Sequence, residues 1–131
     1  MAYRTTHIMV FVSDMPRAIQ FYREALGMSG IVTSPEFPDY VELPTEGATV
    51  SLMRPADEWP EGKTAIGRTT GITLTVSDLD GLYRTLSEKG VRFSRAPTKE
   101  PWGGIMTSFF DPDGNEISLL DEGSLRGGGW D

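Results

Sequence analysis

The chain offers acid–base chemistry one imidazole, His7, and no thiol. Without cysteine, disulfides, thiolate nucleophiles and Cys-based zinc or iron–sulfur sites are excluded, and a reducing, cytoplasmic setting is the expectation. An imidazole ordinarily titrates near neutrality, which suits a general base or an anchoring group. Proton abstraction beside a carbonyl needs more: some group must stabilise the oxyanion, and none is legible around His7. Ser51 and Ser118 do not read as nucleophiles, because the only imidazole would have to serve both as base and no orienting carboxylate can be located. The catalytic set is therefore unassigned, with His7 its sole candidate. Binding is better provided for. Phe37, Tyr40, Trp59, Trp102, Phe109 and Phe110, with Met9, Met53 and Met106, supply the flat walls and adaptable thioethers that suit planar or amphipathic ligands.

An internal repeat sets the frame for these residues. His7 to Met15 reads HIMVFVSDM and Gly71 to Leu79 reads GITLTVSDL, an offset of 64 residues. Each copy is an alternating apolar run, then Ser-Asp, then apolar residues at three- and four-residue steps, then glycine at Gly27 or Gly90. Asp14 and Asp78 stand where helix N-caps belong, and the two glycines where a left-handed C-terminal residue belongs. Short β-rich pieces follow: Gly30 to Thr33, Asp39 to Leu43 and Ala48 to Met53 in the first copy, Val91 to Arg95, Ile105 to Asp111 and Glu116 to Leu120 in the second. Each half is thus βαβββ. Repeats at about 5–53 and 69–121 are joined by a linker at 54–68 and form one domain, with 122–131 expected as a flexible tail in which Trp130 is no site residue.

Strand parity assigns the faces. Ile8, Val10 and Val12 should pack under the first helix, leaving His7, Met9 and Phe11 opposite; Ile72, Leu74 and Val76 should do the same in the second copy, leaving Gly71, Thr73 and Thr75. Val50 and Leu52, with Ile117 and Leu119, belong on the helix side. Ser51, Met53, Ser118 and Leu120 belong on the other. Phe109 and Phe110 are adjacent, so one faces each way.

With 12 Lys and Arg against 19 Asp and Glu, the net charge is −7, which argues against a polyanionic partner such as nucleic acid. No apolar run approaches the ~20 residues of a membrane span, so no membrane partner is expected.

The duplicated unit, the opening HIMVFVSDMPRAIQFYREALGM and the late PWGGIMTSFFDPDGNEISLL together resemble the vicinal oxygen chelate superfamily, which includes glyoxalase I, bleomycin-resistance proteins and extradiol dioxygenases. The likeness covers roughly residues 4 to 121. It implies an α+β fold, two tandem βαβββ modules forming a curved mixed sheet around a cavity. It also implies four metal-ligand positions, on the first and last strands of each repeat. These fall on His7, Ser51, Gly71 and Ser118. Three of the four carry no usable ligand, and hard divalent cations require several converging oxygen or nitrogen donors. Glu116 is the nearest spare carboxylate, but two residues from Ser118 is roughly 6–7 Å along a strand. If a metal were held, His7 and Glu116 would hold it; the expectation is none, and no cofactor. Glu42 has no legible facing. The DPDGN turn, Asp111 to Asn115, reads as architecture linking the last two strands.

The resemblance implies a metal-independent protein, close to the bleomycin-resistance branch, that binds a small organic ligand through His7, Met9, Phe11, Ser51, Met53, Thr73, Trp102, Phe109 and Ser118. Drug sequestration is one role such binding would serve. Catalysis is left open, with binding favoured. Alternatives are a metal-dependent lyase, isomerase or dioxygenase resembling glyoxalase I, or an accessory domain with a vestigial pocket. The exposed sheet edges and the family's habit imply a homodimer.

Overall fold

A computed structural model describes residues 1–127; Trp130 lies outside them. The strands segregate into two mixed sheets, one for each repeat. In the first, β1 (His7–Phe11) runs parallel to β3 (Thr49–Met53), which pairs antiparallel with β2 (Tyr40–Glu42), in the order β1-β3-β2. The expected strand at Gly30 to Thr33 contracts to one antiparallel bridge between Val32 and Glu42. Pro35 and Pro38 follow it, and a residue without a backbone N–H cannot extend a ladder.

Helix α1 (Met15–Gln20) starts on Asp14, whose carboxylate accepts the Arg17 amide at 3.1 Å, as its sequence position suggests. It continues into a π segment, Phe21–Ala25, closed by Leu26 N–H donating to the Phe21 carbonyl. Val10, Val12, Met15, Ala18, Tyr22, Val41, Val50 and Leu52 are all 3% exposed or less and form the core beneath it. Each such aliphatic side chain removed from water is worth about 1.5–3 kcal/mol. The linker is structured: α2 (Pro60–Lys63) lies within it, and the Trp59 indole packs against Gly62, where a Cβ would clash with the ring.

The second repeat contributes β4 (Thr69–Val76), α3 (Leu79–Glu88), β5 (Arg92–Phe93), β6 (Thr98–Lys99), β7 (Ile105–Phe110) and β8 (Glu116–Asp121). Their sheet has the order β4-β8-β7-β5, with β6 on β7. Asp78 caps α3 through the Gly81 amide at 3.1 Å. Ile72, Leu79, Leu86, Phe109, Ile117 and Leu119 are buried in its core. The chain keeps regular structure past the expected boundary at residue 121: Glu122–Gly127 is a 3-10 helix, tied down where the Ser124 hydroxyl accepts the Ile105 amide at 2.9 Å.

By compactness the chain divides into Met1–Arg68 with Pro112–Asn115, and Thr69–Asp111 with the residues from Glu116 onward. The tip of the DPDGN turn therefore belongs with the first repeat. Asp113 accepts the Ser13 amide at 2.9 Å and meets Arg17 at 3.0 Å, while the Asn115 side chain donates to the Phe11 carbonyl at 2.8 Å and accepts from the Gly67 and Arg68 amides.

Candidate functional site

On the face of the first sheet turned away from α1, parity gathers His7, Met9 and Phe11 from β1, Ser51 and Met53 from β3, and Tyr40 and Glu42 from β2. The register aligns Met9 with Ser51 and Ser51 with Glu42, so one row crosses all three strands. Glu42, unreadable from the sequence, is the carboxylate that meets His7: Nε2 to Oε2 is 3.5 Å, with both side chains partly exposed. His7 Nδ1 lies 3.0 Å from the Thr6 hydroxyl, which engages the other side of the ring.

A directed hydrogen-bond chain runs inward from that pair. Tyr40 OH donates to Glu42 Oε2 at 2.8 Å; having one proton to give, it accepts from the Ser51 hydroxyl, also at 2.8 Å. The Ser51 bond pulls the phenol's pKa down, but desolvation and the neighbouring Glu42 carboxylate outweigh it and hold Tyr40 above its ordinary 10.0. Ser51 is fully buried and its hydroxyl is committed to Tyr40. Ser51, expected from the sequence to meet a ligand, thus stands behind Tyr40 in this network.

Beside this network is a hollow of about 390 Å³ lined by Phe37, Tyr40, Met53, Ala56 and Trp59, with Glu36, Asp39 and Arg54 on its polar side. Phe11 and Trp59 meet edge to face, ring centroids 5.5 Å apart, which steadies the partly exposed indole. Tyr40 and Trp59 are structural neighbours of the expected set that parity of the short β2 strand and the linker's folding bring to this face.

In the second sheet Thr73 stands beside Ser118 on the parallel pair β4/β8, and the Ser118 hydroxyl shares a 3.1 Å hydrogen bond with Ser108 on β7. Phe109, expected among the ligand contacts, is opposite Ile117 on the covered face and is fully buried; the strand's other aromatic, Phe110, is stacked under the Arg92 guanidinium at 5.0 Å. Trp102 lies across Gly104 in the turn before β7 and is 39% exposed. Glu116 opens β8, where its carboxylate accepts the Thr69 hydroxyl at 3.1 Å.

The donor set does not fit a catalytic divalent ion. Ser51 donates its proton to Tyr40, Ser118 is paired with Ser108, and Gly71 has no side chain. Gly71 also sits at a register shift in β4 with φ of 77°, a bulge conformation that L side chains rarely adopt. The backbone itself has departed from a ligand-bearing strand there. Among the described residues no three His, Cys, Asp or Glu side chains converge, His7 and Glu42 being a pair.

Comparison with known proteins agrees with this architecture. The chain is 30% identical over 129 residues to a lactoylglutathione lyase of Escherichia coli O157:H7, covering 91% of this chain and 93% of the relative. A solved member of the glyoxalase/bleomycin resistance protein/dioxygenase superfamily from Sphaerobacter thermophilus DSM 20745 superposes with a TM-score of 0.78 at 35% identity, over 93% of this chain and 98% of that one. TnmS3, an antibiotic binding protein from Streptomyces sp. CB03234, superposes with a TM-score of 0.69 at 30% identity, over 92% and 96%. The model of the Glyoxalase/Bleomycin resistance protein/Dioxygenase superfamily matches residues 4–119. With a match of that extent, the chain belongs to this superfamily.

Proposed function

We infer that the protein binds a small, largely apolar organic ligand without a metal ion, on the open face of its first sheet. One observation carries this reading: the polar atoms at the ligand positions of that sheet are spent on protein partners, His7 on Glu42 and Ser51 on Tyr40, directly beside an aromatic and thioether-lined hollow of about 390 Å³. A hollow of that size accepts a drug-like molecule, with aromatic walls for contact and the His7–Glu42–Tyr40 row to orient a polar group. Phe37, Tyr40, Met53 and Trp59 line the hollow, with His7, Met9 and Phe11 on the same face of the first sheet as the further proposed contacts. Likeness to an antibiotic binding protein supports sequestration of an aromatic drug as the role. Strands β1 and β4 each end their sheets, which supports a homodimer, and the absence of cysteine supports a reducing, cytoplasmic setting.

Native mass spectrometry of the untagged protein with a panel of aromatic antibiotics tests the reading. The expected result is a one-to-one adduct that Met53→Trp, which fills the hollow, abolishes while leaving the far-ultraviolet circular dichroism unchanged. No adduct across the panel, together with lactoylglutathione lyase activity that depends on added divalent metal, would overturn it.

A further inference from the structure

A second and larger cavity lies on the opposite side of the same strand. Parity on β2 directs Tyr40 to the open-face hollow and Val41 to this one, which is bounded by α1, the π segment and the Thr33–Asp39 loop and has a volume of about 710 Å³. Its origin is the contraction of the Gly30–Thr33 strand to a single bridge: beyond Val32 the chain turns away through Pro35 and Pro38 and leaves that flank of the helix without a covering strand. The lining is apolar where Met15, Ile19, Val41 and Phe37 contribute, and Phe37 is 65% exposed. Such a space is within the range of organic ligand sites.

The charges around it are unequal in their commitments. Asp14 caps α1 through the Arg17 amide, and Asp39 is paired with Arg54 at 3.3 Å. Arg23 lines the cavity, is exposed, and has no ion pair among the described residues. It also lies within the π segment, a rare helical irregularity that is frequent at functional sites. Asp39 is thus offset by Arg54, Asp14 keeps its charge while its Oδ1 is engaged by the helix amide, and Arg23 is the lining guanidinium without an ion-pair partner among the described residues.

We propose that this helix-side cavity is a second binding site, for an amphipathic organic monoanion whose apolar body occupies the Met15–Ile19–Val41–Phe37 lining and whose carboxylate or sulfonate pairs with Arg23. The site stands apart from the open-face reading and does not depend on it. A guanidinium matches a planar or tetrahedral oxyanion by paired N–H donors, which sets the head group's class. The Phe37–Asp39 turn and Arg54 line both cavities, so the test must tell one from the other.

Fluorescence titration with 8-anilinonaphthalene-1-sulfonate, and with uncharged N-phenyl-1-naphthylamine as its control, does so. Arg23→Glu should weaken the sulfonate about tenfold and leave the uncharged dye within about twofold. Ile19→Trp should abolish the salt-sensitive, Arg23-dependent binding of the sulfonate, while Met53→Trp, on the other side of the sheet, should leave that binding unaffected. Added salt should weaken only the sulfonate. Equal affinity of wild type and Arg23→Glu for the sulfonate, or loss of binding in Met53→Trp with retention in Ile19→Trp, would overturn the proposal. Because Arg23 is solvent-exposed, its reversal tests the charge without disturbing the core.

Discussion

Tyr40 is the hinge of the open-face network, and its titration reports whether the hydrogen-bond chain exists. Its phenol is held above 10.0 in the folded chain, so between the unfolded and folded values the native state keeps a proton the unfolded chain has lost. Stability from this group is therefore complete below about pH 10 and declines as pH rises through the folded value. Ultraviolet difference titration of the four tyrosines should show a high-titrating component that vanishes in Tyr40→Phe and moves down toward the ordinary value in Glu42→Gln. An unchanged titration in Glu42→Gln would mean that the carboxylate does not receive the phenol's proton. Tyr40→Phe also leaves the buried Ser51 hydroxyl without its acceptor and should cost about 1–3 kcal/mol in urea denaturation. Little of this was legible in sequence. Parity placed His7, Met9, Phe11, Ser51 and Met53 on one face, but Glu42 lies in a three-residue strand, too short for alternation to reveal which way it points.

At the scale of elements, the caps and strand faces followed from local chemistry. Asp14 and Asp78 cap as their Ser-Asp settings suggest, and Gly27 and Gly90 have the positive φ of helix-ending residues. Choosing between Phe109 and Phe110 needed the pairing of β7 with β8, which adjacent aromatics in one strand do not disclose. A glycine inside the β4 pattern was itself a bulge signal, and it marks the point where the strand abandons the expected ligand geometry. Gly71→His should accordingly destabilise the fold by about 1–3 kcal/mol, from the positive φ, without conferring tight zinc or nickel binding in calorimetric titration. Tight binding by that single variant would show that the strand is still shaped for a ligand. The DPDGN turn read correctly as architecture, but its attachment to the first repeat depends on contacts about a hundred residues apart in sequence. Asn115→Ala removes three hydrogen bonds at a buried site and should lower stability by about 2–4 kcal/mol, measured by urea denaturation, with the open-face tyrosine titration unchanged.

For the molecule as a whole, superfamily membership was readable because the 64-residue offset, the capping pattern and the late turn agree with one another. Activity was not readable in the same way, since the scaffold supports several chemistries and only the site decides among them. Here His7 and Ser51 of the first sheet face protein partners beside an aromatic hollow, and in the second sheet the β4 backbone is bulged. Among the described residues no helix is long and apolar enough to cross a membrane. Elemental analysis of the untagged protein, grown with supplemented nickel, zinc and manganese, tests the proposed metal-independent binding most directly. Metal should lie far below one equivalent per chain, with no difference between wild type and His7→Ala; one equivalent of a divalent ion in the wild type that disappears in His7→Ala would contradict metal-independent binding.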